Sequence, residues 1–158
     1  MTVAHENYLD FFADAVQKNL SAMAGISGDA GAVELQETAF LSRGSAIIIG
    51  ITGTKAGRIV IDMDWPTAKA LCDAVNGEEI LDEEFVQETL AEFTNVVSGH
   101  AVSGINNAYP GMRLMLTPPS AFHGDNLSIV SPKLTTEVVA VQTSLGTIFI
   151  SVGFEVGS

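Results

Sequence analysis

Ser45-Ala46-Ile47-Ile48-Ile49-Gly50-Ile51-Thr52, Gly53-Thr54-Lys55-Ala56-Gly57 and Arg58-Ile59-Val60-Ile61-Asp62-Met63-Asp64 run consecutively in the first half of the chain. Ile47, Ile49 and Ile51 share one face of an extended segment. Ile59, Ile61 and Met63 alternate with Arg58, Val60 and Asp62 in the next. The short glycine-bounded link between them predicts a hairpin joining strands Ser45–Thr52 and Gly57–Asp64. A hairpin makes its strands antiparallel, because a parallel pair needs a crossover of about a dozen residues or more. The pattern recurs at the other end of the chain. Thr135–Thr143 and Gly146–Glu155 flank Ser144-Leu145-Gly146, and Ile148, Ile150, Val152 and Phe154 alternate with Thr147, Phe149, Ser151 and Gly153. Arg113–Thr117 and Asn126–Val130 are the remaining predicted strands.

Each group of strands is preceded by helical periodicity. From His5 to Ala24, Leu9, Phe12, Val16, Leu20 and Met23 recur at spacings of three and four, and Gly25 and Gly28 are read as the stop. Trp65-Pro66 opens a short helix with Ala68, Leu71, Cys72 and Val75 on its apolar face, and Asn76-Gly77 closes it. A long helix is predicted from about Glu83 to about Asn107, ended by Tyr109-Pro110-Gly111. The expected fold is α+β: an antiparallel sheet with two long helices packed on it, in one domain spanning 1–158. The order helix-then-strands occurs twice, which suggests internal duplication of a helix-plus-strands unit.

Composition narrows the functions open to such a domain. Seven basic and nineteen acidic residues give a net charge of −12 and a pI near 4.3, with no Lys or Arg between Lys69 and Arg113. Nucleic acid and anionic membranes both demand a basic footprint, so neither is an expected partner. Hydrophobic residues make up 47%, enough for a sizeable core. No apolar run approaches the ~20 residues of a membrane span. The first segment is acidic and amphipathic rather than basic and then apolar, so no signal peptide is expected and a cytoplasmic location is. The lone Cys72 excludes a disulfide framework, and three scattered histidines offer no metal-ligand spacing.

Several motifs fail on inspection. Gly50-Ile51-Thr52-Gly53-Thr54-Lys55 has glycines before a lysine, but a phosphate loop needs Gly-Lys-Ser/Thr entering a helix, whereas here a strand follows. Cys72 lies on an apolar helix face, the position of a structural thiol. The run Glu78, Glu79, Asp82, Glu83 and Glu84 is accounted for by the preference of carboxylates for a helix N-terminus.

One constellation remains, in Glu88-Thr89-Leu90-Ala91-Glu92-Phe93-Thr94-Asn95-Val96-Val97-Ser98-Gly99. Val86, Leu90, Phe93, Val97 and Ala101 fall in one helical sector of about 80°, which must face the sheet. Glu88, Glu92, Asn95 and Gly99 gather on the opposite side, with Glu92 and Asn95 projecting together as i and i+3. Gly99 weakens the helix by about 1 kcal/mol relative to Ala, yet it lets another backbone come close. Periodicity alone makes this a solvated face like many others.

The sequence resembles the CheX branch of the CheC/CheX/FliY chemotaxis phosphatases, from the first helix through about Gly124. The resemblance is carried by Phe11-Phe12-Ala13-Asp14-Ala15-Val16 with Met23-Ala24-Gly25, by Ile49-Gly50-Ile51-Thr52-Gly53 with Ala56-Gly57-Arg58-Ile59-Val60-Ile61, by Asn76-Gly77-Glu78-Glu79, and by Glu92-Phe93-Thr94-Asn95-Val96-Val97-Ser98-Gly99-His100-Ala101. The last block looks like the family's Glu-x-x-Asn signature. Phe93 stands where a smaller aliphatic residue is more usual, but its angle places it in the core sector.

The resemblance implies a CheC-like fold, a homodimer, and hydrolysis of the aspartyl phosphate of a CheY-like response regulator. It implies catalytic roles for Glu92 and Asn95, with Glu88 and Gly99 as candidate partner contacts. No cofactor of its own is implied, since Mg²⁺ is expected to come with the phosphorylated regulator. CheC-type relatives carry a motif on both long helices; here the first offers only Asp14-Ala15-Val16-Gln17, a shorter acid and a longer amide, so one site per chain is expected. The rival reading is a non-catalytic adaptor of the same fold in a signalling or flagellar-switch complex. A stand-alone small-molecule hydrolase lacks a self-sufficient nucleophile, base or metal.

Overall fold

The structure is a computed structural model, and it describes residues 8–155. Helix α1 runs Tyr8–Asn19 and continues as a π-helical turn, Leu20–Ala24, closed by Gly25 at φ +68°. The start of the expected helix at His5 lies outside the described residues. Short strands β1 (Gly28–Ala30), β2 (Glu34–Leu35) and β3 (Ala39–Leu41) lead into the hairpin of β4 (Gly44–Gly53) and β5 (Gly57–Asp64). Helix α2 (Trp65–Asn76) and helix α3 (Glu83–Ala108) follow. The chain ends in β6 (Leu114–Leu116), β7 (Ser120–His123), β8 (Ser128–Val130) and the hairpin of β9 (Leu134–Thr143) and β10 (Gly146–Glu155).

The main sheet has the order β1-β9-β10-β5-β4-β6, with β2 also on β9 and β7 also on β4, and every pairing is antiparallel. The two long hairpins meet at its centre, where Ile150 lies opposite Ile61 and Val152 opposite Ile59. This is a two-fold arrangement: the strand after α1 edges the C-terminal hairpin, and the strand after α3 edges the N-terminal one. The repeated helix-plus-strands order read in the sequence is thus repeated in the topology. In the first hairpin Gly53 takes φ +98°, and a Cβ there would lie 2.0 Å from the Arg113 carbonyl oxygen, so glycine is required by the close approach of the loop before β6.

One face of the sheet carries Ile47, Ile49, Ile51, Ile59, Ile61, Met63, Val139, Val141, Ile148 and Ile150, all buried beneath α1, α2 and α3. Leu9, Phe12, Val16 and Leu20 of α1 meet them, as the periodicity predicts. Four details differ from the sequence reading. Gly28 opens β1 rather than ending the helix, because the left-handed turn at Gly25 has already stopped it. Arg113–Thr117 contracts to Leu114–Leu116, since the Arg113 backbone bonds the hairpin's Thr54 instead of a strand. Asn126–Val130 contracts to Ser128–Val130, with Asn126 at φ +59°. Finally, β3 and β8 pair as a separate ribbon that covers Ala46 and Val60 on the sheet's second face. That face also buries Asp62, which accepts hydrogen bonds from the Ser42 hydroxyl (2.5 Å), the Arg43 amide (3.0 Å) and the Arg43 guanidinium (3.0 Å).

Candidate active site

Helix α3 is held from below by apolar contact and from the sides by three polar ties. Val86, Leu90, Phe93, Val97, Ala101 and Ile105 are each at most 2% exposed. Burial of such side chains stabilises by about 1.5–3 kcal/mol for each large one, which fixes the helix against the sheet along most of its length. Phe93 is fully buried, so the departure at this position is absorbed in the core. Asp82 caps the N-terminus through the Glu84 amide at 3.0 Å. Laterally, Thr89 accepts from Asn76 of α2 at 3.2 Å, and the His100 ring lies 3.0 Å from the Asn19 amide of α1. Asn106 exchanges two hydrogen bonds with the Leu114 backbone of β6, at 3.1 and 2.9 Å.

The residues singled out from the sequence are among the other polar residues of the helix. Glu88, Glu92 and Asn95 are exposed, and among the described residues none of the three side chains makes a hydrogen bond or ion pair. Glu92 and Asn95 stand one turn apart, with Cβ atoms about 5–6 Å from each other by helical geometry. Gly99 continues the same stripe, and a Cβ built on it meets nothing within 4 Å. The four candidate residues therefore share one open face. It is the outward, convex side of a helix whose inner side is buried, and five surface clefts, of about 170 to 530 Å³, are lined by other residues.

Asp14-Ala15-Val16-Gln17 of α1 has the same alternation, an exposed acid, two buried residues and a more exposed amide, but its polar groups are committed. Asp14 pairs with Lys18 at 2.8 Å and the Gln17 amide donates to the Gly28 carbonyl at 2.8 Å. Cys72 and His123 have structural surroundings. Cys72 is fully buried. His123 stacks on Trp65 with ring centroids 4.0 Å apart and lies 3.0 Å from the Gly44 carbonyl. Among the described residues no three of His, Cys, Asp and Glu are grouped to hold a metal ion, and no helix is long and apolar enough to cross a membrane. The sequence reading passed over Leu81 and Phe85, which are exposed at the start of the same helix. The available signal was angular, since Phe85 lies about 20° from Glu92 around the helix.

Three comparisons place this geometry among known proteins. Curated proteins gave no match. Among solved structures, the chemotaxis protein CheX of Desulfovibrio desulfuricans superposes with a TM-score of 0.86 at 26% identity, over 94% of this chain and 99% of that one. A chemotaxis protein of Desulfovibrio vulgaris Hildenborough gives 0.86 at 27% identity, over 98% and 100%. A chain of the CheX–CheY–BeF₃–Mg²⁺ complex of Borrelia burgdorferi gives 0.82 at 26% identity, over 96% and 99%. The family model described as chemotaxis phosphatase CheX matches residues 45–142, more than half of the sequence and including all of α3. The chain belongs to the CheX family of chemotaxis phosphatases.

Proposed function

We propose that this protein accelerates hydrolysis of the aspartyl phosphate on a CheY-like response regulator, with Asn95 orienting the attacking water and Glu92 anchoring the helix to the partner. The observation that carries the reading is a rigid, convex helix face on which a carboxylate and an amide stand one turn apart with no intramolecular partner. A convex face cannot enclose a small substrate, but it can enter the cleft of another protein. The complex formed by the Borrelia relative with CheY supports a partner of this class.

The chemistry required is modest. Water attacks phosphorus, a P–O bond to water forms, and the bond to the aspartate oxygen breaks. The products are the free carboxylate and dihydrogen phosphate, which carries the water's oxygen and both of its protons. A carboxylate is a good leaving group, so the acyl phosphate needs an oriented water more than a strong base. The Asn95 amide does not titrate, but its carbonyl oxygen accepts a hydrogen bond from water and holds it in line with phosphorus. Water-positioning glutamines of GTPases act on the same principle. Glu92 is suited to pair with a lysine at the regulator's active site. The regulator brings the Mg²⁺ that neutralises phosphoryl charge, and this chain brings position. A homodimer with one such face per chain belongs to the same proposal, and light scattering in solution tests it.

The test follows phosphate loss from the phosphorylated CheY-like regulators of the source organism. Asn95→Ala should lower the accelerated rate about a hundredfold or more while leaving affinity near wild type. Glu92→Ala should weaken affinity about ten- to hundredfold through loss of a charged hydrogen bond, and lower the rate with it. Wild-type acceleration by Asn95→Ala sinks the mechanism. No acceleration of any regulator by the wild-type chain leaves the adaptor reading in its place.

A further inference from the structure

The exposed large apolar side chains among the described residues are distributed unevenly. All but two lie on strands or in the loop before β2; the exceptions are Leu81, 83% exposed, and Phe85, 41% exposed, at the entry to α3. Phe85 is two helical turns before Glu92 and about 20° from it around the axis, so it opens the stripe that continues through Glu88, Glu92, Asn95 and Gly99. Scattered exposed apolar residues need no explanation, but a Phe and a Leu on one side of a polar functional face do.

We propose that Leu81 and Phe85 form the apolar seat for the phosphorylated receiver domain, supplying affinity for α3. The proposal rests on the phosphatase reading above. Its reach can be checked against the size of protein contacts. An interface burying about 800 Å² on each partner is a disc of roughly 16 Å radius. Centred between Glu92 and Asn95, the disc extends past Phe85, which lies about 13 Å along the helix, and ends near Glu83, so that Leu81, just before the helix, stands at its rim. At the other end it covers Gly99 and Ser103, which are small and offer no large apolar side chain. The footprint is therefore apolar at one end only.

Charge selects the same occupant. Glu88 lies one turn beyond Phe85 on the same side of the helix, Glu84 precedes it in the chain, and no Lys or Arg occurs between Lys69 and Arg113. The complementary surface is an apolar patch edged by Lys or Arg, adjoining the phosphorylated aspartate. Aromatic anchors inside a contact commonly contribute tenfold or more to affinity, whereas charged residues at the rim act mainly on association rate.

The experiment measures binding of each CheY-like regulator of the source organism, loaded with beryllofluoride and Mg²⁺, and steady-state phosphatase kinetics on its phosphorylated form. Phe85→Ser should raise Kd and KM about tenfold or more while kcat stays within about twofold. Leu81→Ser should add a smaller increment, and Phe85→Leu should recover most of the affinity. Asn95→Ala should show the opposite split, losing kcat and keeping Kd. Unchanged melting temperatures separate these effects from misfolding. If Phe85→Ser and the double variant bind like wild type while Asn95→Ala is inactive, the seat is wrong and the phosphatase reading stands. If those variants instead turn a dimer into a monomer with unchanged regulator affinity, the patch is a self-association face and the proposal is overturned. If no regulator binds the wild-type chain, both readings fall.

Discussion

Replacing Gly99 by Ala separates what the fold needs from what a partner needs. In the middle of a helix Ala is favoured over Gly by about 0.8–1.0 kcal/mol, because it restricts the unfolded chain and shields the backbone. Packing usually modifies that figure, but at Gly99 an added Cβ meets nothing within 4 Å, so the propensity term stands nearly alone. For a chain of this length 1 kcal/mol corresponds to about 2–4 °C in melting temperature. Gly99→Ala should therefore melt about 2–3 °C higher by calorimetry. Two other glycines serve as controls. At Gly104 of the same helix a Cβ would come within 3.0 Å of Phe11 Cδ1 and 3.4 Å of Cε1, so displacement of that ring offsets the gain and Tm should be unchanged or lower. Gly77 caps α2 at φ +69°, where an L side chain costs about 1–2 kcal/mol although the space is open, so Gly77→Ala should melt about 2–8 °C lower. The phosphatase assay then reads function: the Gly99 methyl stands about 8 Å along the axis from the Glu92/Asn95 pair, inside the partner footprint, and should reduce affinity for the regulator about tenfold. A lower melting temperature for Gly99→Ala would show that the helix face is packed rather than open. A higher one with undiminished phosphatase activity would show that no partner backbone approaches it.

Other substitutions test how the scaffold is built. Asp62→Ala removes a carboxylate that is 1% exposed and strips three donors of their acceptor, among them the Arg43 guanidinium stacked 3.4 Å above the Phe149 ring. Breaking such a pair costs about 3–5 kcal/mol; because Arg43 is itself 41% exposed and can recover water, the lower end applies and Tm should fall about 6–12 °C. A drop under about 2 °C would mean the cluster contributes little. Asp64 caps α2 by accepting from the Thr67 amide at 2.9 Å, and Asp64→Ala should cost about 1 kcal/mol in denaturant unfolding. The Thr67 hydroxyl and amide hold the Asp64 pKa below its ordinary 3.8, and for Asp73 the Lys69 ammonium and the Ile80 amide do the same. A depressed folded pKa means the unfolded state takes up the proton first. The contribution is complete above about pH 5 and is lost as pH falls through 3.8 and below. An Asp64→Asn, Asp73→Asn variant should thus show a flatter fall in stability between about pH 5 and pH 2 than the wild type.

The elements that the sequence disclosed are those whose pattern is local. The two long hairpins were legible because Ile47, Ile49 and Ile51, and Ile148, Ile150 and Val152, alternate at period two beside short glycine-bounded links. The long helix was legible because Val86, Leu90, Phe93 and Val97 keep one angular sector. The short strands β1, β2, β3 and β7 were not legible. At two to four residues they carry too little alternation to register, and what holds them is pairing with remote partners, such as Phe40 opposite Ile129. The ribbon of β3 and β8 also hid a burial: Asp62 reads as the polar side of an alternating strand, yet the ribbon's face of the sheet leaves it 1% exposed. For the site, helical phase brought Glu88, Glu92, Asn95 and Gly99 to one face, and the structure finds them there. Phase could not reveal that Thr89, His100 and Asn106 bind neighbouring elements while Glu92 and Asn95 bind none, because those neighbours lie on other elements whose placement beside α3 is set by the tertiary fold.

That difference explains how one two-fold scaffold comes to present a single candidate site. The two long helices lie side by side on the same sheet, and each carries an exposed acid, two buried residues and then an amide, half-buried at Gln17 and exposed at Asn95. On α1 the acid is neutralised by Lys18 one turn away and the amide is fixed to the first residue of β1, so both serve the fold. Using them on a partner would require breaking a hydrogen bond and an ion pair, and a flexible Lys would stand in the path of any incoming cation. On α3 the fold's polar ties fall at Thr89, His100 and Asn106, on the flanks of the candidate stripe. The helix is therefore rigid without engaging the stripe. A water-positioning amide needs both conditions together: a backbone that does not move when the partner arrives, and a side chain that owes nothing to its own fold.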